Sequence, residues 1–206
     1  MAHPNAASKV LLIGASGMIG RALAHALSSD HDVITASRSS GDFQVDMANP
    51  DGLRALFAQT GPLDAIISVA GDALMAPLAT MRDEDLNRTL DTQMKGQIKV
   101  LRLGLDAVTS GGSITLTSGV AAQKPMPPNS AIAASCGALE AFTRTAATEI
   151  DAVRLNVVSP IFVKESMALF GLPTDGGLSA ADTAKSCLAA ITGDMHGQIL
   201  STPDFA

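Results

Sequence analysis

The sequence predicts an α/β fold: a doubly wound parallel sheet flanked by helices on both faces. Three observations predict it. Short runs rich in Val, Ile and Leu recur along the chain, as in strands buried on both faces. Segments with apolar residues at helical spacing alternate with those runs, so that each strand is followed by a crossover helix. The length, 206 residues without a visible repeat or low-complexity tract, fits a single domain with one substantial core over 1–206.

The elements follow in order. "KVLLIG" (9–14) is an apolar run closed by glycine, a buried strand. "MIGRALAHALSS" (18–29) places Ile19, Leu23, Ala26 and Leu27 on one helical face, and "HDVITASR" (31–38) is a second strand. "NPDGLRALFAQTG" (49–61) has an Asn cap, Pro at the first helical position and Gly beyond the end. "LDAIISVAG" (63–71) is a third strand, and 81–108 reads as one long amphipathic helix with acids crowding its first turn. "GSITLTSG" (112–119) is a strand, 129–149 a helix, and "VRLNVVSP" (153–160) a strand stopped by Pro160. "SAADTAKSCLAAIT" (179–192) is a helix capped by Ser179, and "HGQILST" (196–202) a last strand.

Composition narrows the function classes. A net charge of −6 without a basic stripe argues against nucleic acid. No apolar run approaches membrane-spanning length, and "MAHPNAASK" has no leader-like apolar core, so a cytoplasmic protein is expected. Two cysteines, Cys136 and Cys187, fit free thiols in a reducing compartment. His25, His31 and His196 have no partner at metal-ligand spacing, so no metal is expected. Lys124, Lys164 and Glu165 read as solvated surface charges on loops near the expected site.

In such a sheet the ligand lies beyond the carboxyl ends of the strands. "GASGMIG" there spaces Gly14, Gly17 and Gly20 as GxxGxxG, after the first strand and opening the first helix. Glycine permits the tight turn and the close approach of a pyrophosphate, whose charge sits at the helix N-terminus. This is the Rossmann-type arrangement, with Ala15, Ser16, Met18 and Ile19 completing the turn. At the end of the second strand an acid would bind the ribose hydroxyl of NAD. The chain instead has Ser37, Arg38 and Ser39, a guanidinium with two neighbouring hydroxyls able to hold a 2′-phosphate. The expected cofactor is NADP(H).

These residues together resemble the short-chain dehydrogenase/reductase family over 9 to about 202. "GASGMIG" is similar to the family's glycine motif, with Ile13 where Thr is usual. "VDM" resembles its adenine-contacting turn and implies a cofactor role for Asp46 and Met47. "SVAG" resembles the family's NNAG and implies one for Val69, Ala70 and Gly71. "RLNVVSPIFV" resembles the segment that implies one for Pro160, Ile161 and Val163. "DTQMKG", "GSITLTSGVA" and "GQIL" match further segments.

The family's chemistry is hydride transfer between nicotinamide and a carbonyl or alcohol carbon. A Tyr handles the hydroxyl proton, a Lys four residues on lowers its pKa, and Ser and Asn complete the set. In this chain the resemblance puts Ile132 at the Tyr position, Cys136 at the Lys position and Gln93 at the Asn position. The Ser position falls on Gly119, or on Ser118 with a one-residue shift; Ser118 is the candidate catalytic residue, with no visible base beside it. The chain contains no tyrosine at all. It is also short where the family's substrate-covering region lies, between Glu165 and Leu178. Two readings follow: an NADP(H)-dependent oxidoreductase with atypical or weak catalysis on an unidentified small molecule, or a non-catalytic NADP(H)-binding sensor or interaction protein. The resemblance also implies a homodimer or tetramer through the long helix and the small-sided 129–149 helix.

Overall fold

The computed structural model describes residues 7–206. Most of the N-terminal stretch read above for a leader, residues 1–6, lies outside the described residues. β1 (Lys9–Ile13), β2 (Asp32–Ser37), β3 (Phe43–Gln44), β4 (Leu63–Ser68), β5 (Val108–Thr117), β6 (Arg154–Ser159) and β7 (Ile199–Ser201) form one sheet. Its order is β3-β2-β1-β4-β5-β6-β7, and every pairing is parallel. Consecutive strands run outward from β1 in one direction and from β4 in the other. The chain therefore reverses its winding between β1 and β4, which opens a crevice above their carboxyl ends.

Alternation along the strands divides the core between the two faces of the sheet. Val10 and Leu12 of β1 point to one face with Ala65, Ile67 and Val158. There they meet Leu23 and Leu27 of α1 (Met18–Leu27) and Ala184, Cys187 and Ala190 of α7 (Ala180–Thr192). Leu11 and Ile13 point to the other face with Ile66, Ile114, Leu116, Leu155 and Val157. That face is covered by Leu53 and Phe57 of α2 (Pro50–Thr60), Val100 and Leu101 of α4 (Gln97–Gly104), and Leu139 of α5 (Ser130–Ala147). Such burial, at about 25 cal/mol per Å² of apolar surface, is the main force holding the layers together.

Local chemistry sets the helix ends. Asn49 caps α2 by accepting from the backbone N–H groups of Asp51 and Gly52, and Ser179 caps α7 by accepting from Asp182 N. Two expectations need correction, and one element is new. The segment 81–108 is not one uniform helix: α3 (Asp83–Thr89) passes through a π-helical turn, Leu90–Gly96, into α4. A pattern read at 3.6 residues per turn does not reveal one widened turn. β5 begins at Val108 rather than 112, because Val108 pairs with Leu63 before the register shifts. β3 was not foreseen; it is two residues pairing with Ala36 and Ser37, too short to carry a pattern. No helix among the described residues is long and apolar enough to cross a membrane.

Candidate functional site

The crevice holds two cavities that share Val69, Ala70 and Gly71 as a common wall. The first, about 270 Å³, is lined by Gly14, Ser16 and Gly17 below, by Ser37 and Arg38 after β2, and by Val45, Asp46 and Met47 beside β3. Asp72 and Thr92 close it. Gly14 has φ +94°, and a Cβ there would stand 2.7 Å from the backbone nitrogen of Ala70. Only glycine lets the turn press against the end of β4. A Cβ on Gly20 would collide with the carbonyl oxygen of Gly14, so α1 can tuck under the turn. α1 opens with no side-chain cap and no acid in its first turn, leaving its first N–H groups and the positive end of its dipole facing the cavity.

Charge gathers around Asp72 in the wall of this first cavity. Asp72 receives a two-pronged bond from Arg38, at 2.7 and 2.9 Å, and two more from Arg88, at 3.0 and 3.1 Å. Burial pushes the Asp72 carboxyl up, but the bonds from Arg38 and Arg88 outweigh this and hold it below its ordinary value. Thr92, on the π-helical turn, accepts from Asp72 N at 3.0 Å and fixes the loop. Two cations face one carboxylate, so the cluster keeps a net positive charge.

The second cavity, about 330 Å³, is assembled from the ends of β4, β5 and β6, from α5, and from α6 (Lys164–Leu169) with the turn after it. Gln93, Ser118, Gly119, Asn129, Ile132, Cys136, Pro160 and Ile161 line it together with Ile19. None of its lining residues carries a charge. The π-helical turn therefore presents Thr92 to the first cavity and the adjacent Gln93 to the second, a placement typical of such turns.

The structure corrects the sequence reading of Ser118. Its hydroxyl donates to Glu140 Oε1 at 2.8 Å, and both residues are 4% exposed. A carboxylate does stand beside it, and Gln123 donates to the other oxygen of Glu140 at 2.6 Å. A Cβ built on Gly119 would lie 3.4 Å from the Cys136 sulfur, so position 119 faces the thiol while Ser118 turns to Glu140. Burial, reinforced by the Glu140 charge and opposed by the Gln93 amide, pushes the Cys136 thiol up to about 11. It is a neutral, buried group at neutral pH.

The remaining candidate positions fall in different places. Val163 does not line either cavity; it is buried and bridges to Leu178. Ala15, Met18, Gly20 and Ser39 are likewise absent from both linings. Gly20 acts through packing, and Met18 sulfur accepts from Ser166 at 3.1 Å. Ser37 does line the first cavity, but its hydroxyl donates to the carbonyl of Ser40 at 2.6 Å and is not free for a ligand. Asp46 accepts from Ala48 N at 2.8 Å, forming the turn that brings it to the cavity. Glu165 is not simply a solvated charge, since both its oxygens accept from Ala180 N, at 3.1 and 3.0 Å.

Sequence reading missed Asp72, Arg88, Thr92, Asn129 and Glu140. Arg88 stands four residues before Thr92, one helical turn from a segment already singled out. Glu140 follows the Cys136 position by the same interval.

With this geometry in place, the chain can be compared with known proteins. Residues 14–193 match the family model described as enoyl-(acyl carrier protein) reductase. The crystal structure of protein lin1944 from Listeria innocua superposes with a TM-score of 0.90 at 35% identity, covering 95% of this chain and 99% of that one. A small-chain dehydrogenase solved in complex with NADPH gives a TM-score of 0.85 at 27% identity, covering 95% and 96% of the two chains. L-xylulose reductase from Homo sapiens is 26% identical over 181 residues, 79% of this chain and 74% of its own. The matched span runs from the glycine turn through α7, and takes in every residue lining the two cavities except Ile13. The chain belongs to the short-chain dehydrogenase/reductase family of oxidoreductases.

Proposed function

We propose that the chain binds NADP(H) across both cavities and acts as an oxidoreductase of atypical or weak catalysis. The observation that carries the cofactor reading is the Arg38 guanidinium in the wall of the first cavity, with Arg88 bonded to the same carboxylate, Asp72. A dinucleotide fits the frame. The Gly14 turn and the uncapped start of α1 suit a pyrophosphate, Asp46 and Met47 suit the adenine, and the two arginines suit a 2′-phosphate. The solved relative bound to NADPH supports the same choice. The shared wall of Val69, Ala70 and Gly71 lets one extended ligand reach from the first cavity into the second, where Pro160 and Ile161 would flank its other end.

Bound nicotinamide would supply or accept hydride. What the chain lacks is the matching proton. General acid–base catalysis needs a group in reach with a pKa near working pH. Ile132 has no proton to give, the Cys136 thiol is held near 11, and the Ser118 hydroxyl is committed to Glu140. Water or a neutral hydroxyl then has to serve. Positioning donor and acceptor still accelerates such a reaction, though by less than positioning with an acid.

Ile132 in the wall of the second cavity favours a second reading, a non-catalytic NADP(H)-binding sensor or interaction protein. A carbonyl panel separates the two. Turnover of NADPH above background by the unmodified chain supports the weak enzyme. Background rates, with activity created by Ile132→Tyr plus Cys136→Lys, support the sensor. A titration with NADPH and NADH tests the shared premise: NADPH at about 100 times its Kd adds about 2.7 kcal/mol of stability, and no response to either dinucleotide overturns both readings.

We also propose a homodimer or tetramer through α4 and α5, where Ala134, Ala138 and Ala141 leave an exposed small-sided face on α5. A monomer mass in light scattering at micromolar concentration would refute it. With a net charge of −6 we propose no nucleic-acid partner, and we place the protein in the cytoplasm.

A further inference from the structure

A third cavity, about 530 Å³, lies on the α5 side of the sheet, where α5 meets the carboxyl ends of β6 and β7. It shares Val120 and Ile161 with the second cavity and no residue with the first. Its charges set it apart. Of the chain's 14 lysines and arginines, six are held in ion pairs, and Lys9, Arg21, Lys99 and Arg154 donate to backbone carbonyls. Among the described residues, only Arg102, Lys124, Arg144 and Lys164 have a charged end engaged in neither way. Two of these four, Lys124 and Arg144, line this one cavity.

Arg144 is free for a local reason. A Glu and an Arg four residues apart on one helix ordinarily pair across the turn. Glu140 does not pair with Arg144, because its two oxygens are taken by the Ser118 hydroxyl, at 2.8 Å, and the Gln123 amide, at 2.6 Å. Glu140 also lines the cavity, and its charge works against an anion there. Two cations facing one carboxylate still leave the wall positive by one, in a chain whose net charge is −6.

Ser159 adds a hydroxyl. It stands two residues beyond Val157 on β6, so its side chain points to the α5 face, where Leu155 and Val157 lie in the core. It is 4% exposed, lines the cavity, and its hydroxyl has no hydrogen-bond partner among the described residues. That oxygen is not sealed in, as the unpartnered hydroxyls of Thr115 and Thr143 are, and it keeps contact with solvent. A nearly buried hydroxyl in this state takes its partner from water or from a ligand. Ile161, Ile199 and Pro203 complete the wall with apolar surface.

We propose that the third cavity binds a small phosphate monoester with an apolar body, its phosphoryl group held by Arg144, Lys124 and the Ser159 hydroxyl. A guanidinium gives a two-pronged bond to phosphoryl oxygens, the ammonium adds a point charge, and the hydroxyl donates to a remaining oxygen. A carboxylate has only two oxygens to offer these donors. The site stands apart from the cofactor reading, since none of its residues lines the first cavity.

The test is calorimetric titration of the full chain with phenyl phosphate, inorganic phosphate, benzoate and phenol, without cofactor and again at saturating NADPH. Phenyl phosphate is expected to bind with a Kd below about 1 mM in both states, a few-fold tighter than inorganic phosphate and about tenfold tighter than benzoate, with phenol giving no heat. Arg144→Ala should weaken it about tenfold, and Lys124→Ala and Ser159→Ala by a few-fold factor each. Arg144 and Lys124 are exposed, so folding is not at stake in those two variants. Arg102→Ala, which removes a free cation elsewhere, and Arg38→Ala, which acts in the first cavity, should leave phenyl phosphate binding unchanged. Absence of binding up to about 10 mM overturns the proposal, as does equal or tighter binding of benzoate or inorganic phosphate. So do Arg144→Ala and Lys124→Ala variants that bind phenyl phosphate like the parent, or an Arg102→Ala or Arg38→Ala variant that loses as much as Arg144→Ala. NADPH is titrated separately against the parent and Arg144→Ala, with equal affinities expected. Loss of NADPH binding refutes the cofactor reading alone, and loss of phenyl phosphate binding refutes this proposal alone.

Discussion

The two cavities share a wall and differ in almost everything else. In the first, each element is tight or charged: a glycine turn pressed on the end of β4, an open helix start, and a carboxylate gripped by two arginines. In the second, no lining residue is charged, the cysteine is buried and neutral, and the serine hydroxyl is turned to a buried glutamate. A site that holds an anionic cofactor must spend its polar groups on fixed phosphates, so its residue types are constrained by the ligand. A site that transforms the bound group needs an acid of the right pKa, and on the function proposed above Ile132 stands in the second cavity where such a group would act. Holding a ligand and transforming it are separable physical tasks, and one crevice can be equipped for the first without the second.

The sharpest way to break this contrast is at the glycine turn. Gly14→Val adds a side chain at φ +94°, where a Cβ already meets the Ala70 backbone at 2.7 Å. Strain and overlap of this kind cost about 1–3 kcal/mol each, and the displaced turn no longer fits a pyrophosphate. NADPH affinity should fall at least about a hundredfold, a loss of roughly 2.7 kcal/mol or more by calorimetry. Affinity retained within tenfold would mean that the first cavity is not the phosphate site.

A smaller effect sharpens the contrast. Arg38→Ala should reduce NADPH affinity by about 10- to 100-fold, the range of a charge-assisted, two-pronged bond, and leave NADH affinity unchanged. Equal losses for both dinucleotides would move Arg38 from phosphate recognition to loop packing. Equilibrium titration of the two cofactors against parent and variant reads the difference directly.

How much of this was legible in the sequence follows the range of each interaction. The alternation of strands and helices, the caps at Asn49 and Ser179, and the glycine turn are local, and reading along the chain was enough. The partners of the site residues are not local. Arg38 meets Asp72 across 34 positions and Ser118 meets Glu140 across 22. Neither pairing leaves a periodic signal, so Arg38 read as a lone cation and Ser118 as a hydroxyl without a base. Val163 fell in a segment that resembles a cofactor-binding one, but the bridge to Leu178 turns it into the core. The π-helical turn, which decides that Thr92 and Gln93 serve different cavities, changes the helical period over only seven residues.

The smallest expected effect concerns Asp72, and it decides what the carboxylate is for. If Arg38 and Arg88 serve a 2′-phosphate, Asp72 competes for the same guanidiniums, and Asp72→Asn should tighten NADPH by a few-fold, about 0.5–1 kcal/mol. If Asp72 instead accepts from ribose hydroxyls, the same change should weaken both NADPH and NADH. The pH dependence adds an independent check. Asp72 is held below its ordinary 3.8 because the two arginines outweigh its burial. A carboxyl depressed in the folded state contributes stability above its unfolded pKa, and that contribution is lost as pH falls through the lowered folded value. From pH 8 down to about pH 7 both Asp72 and a 2′-phosphate keep their charge, so the ratio of variant to parent NADPH affinity should be constant across that window. The parent's melting-temperature advantage over the variant should likewise hold through that window and shrink only below about pH 4, as Asp72 takes up its proton. A ratio that drifts between pH 7 and 8, where neither Asp72 nor the phosphate changes charge, would place the discriminating titration on another group, and the carboxylate would then be a strut for the loop after β4 rather than a competitor for the phosphate.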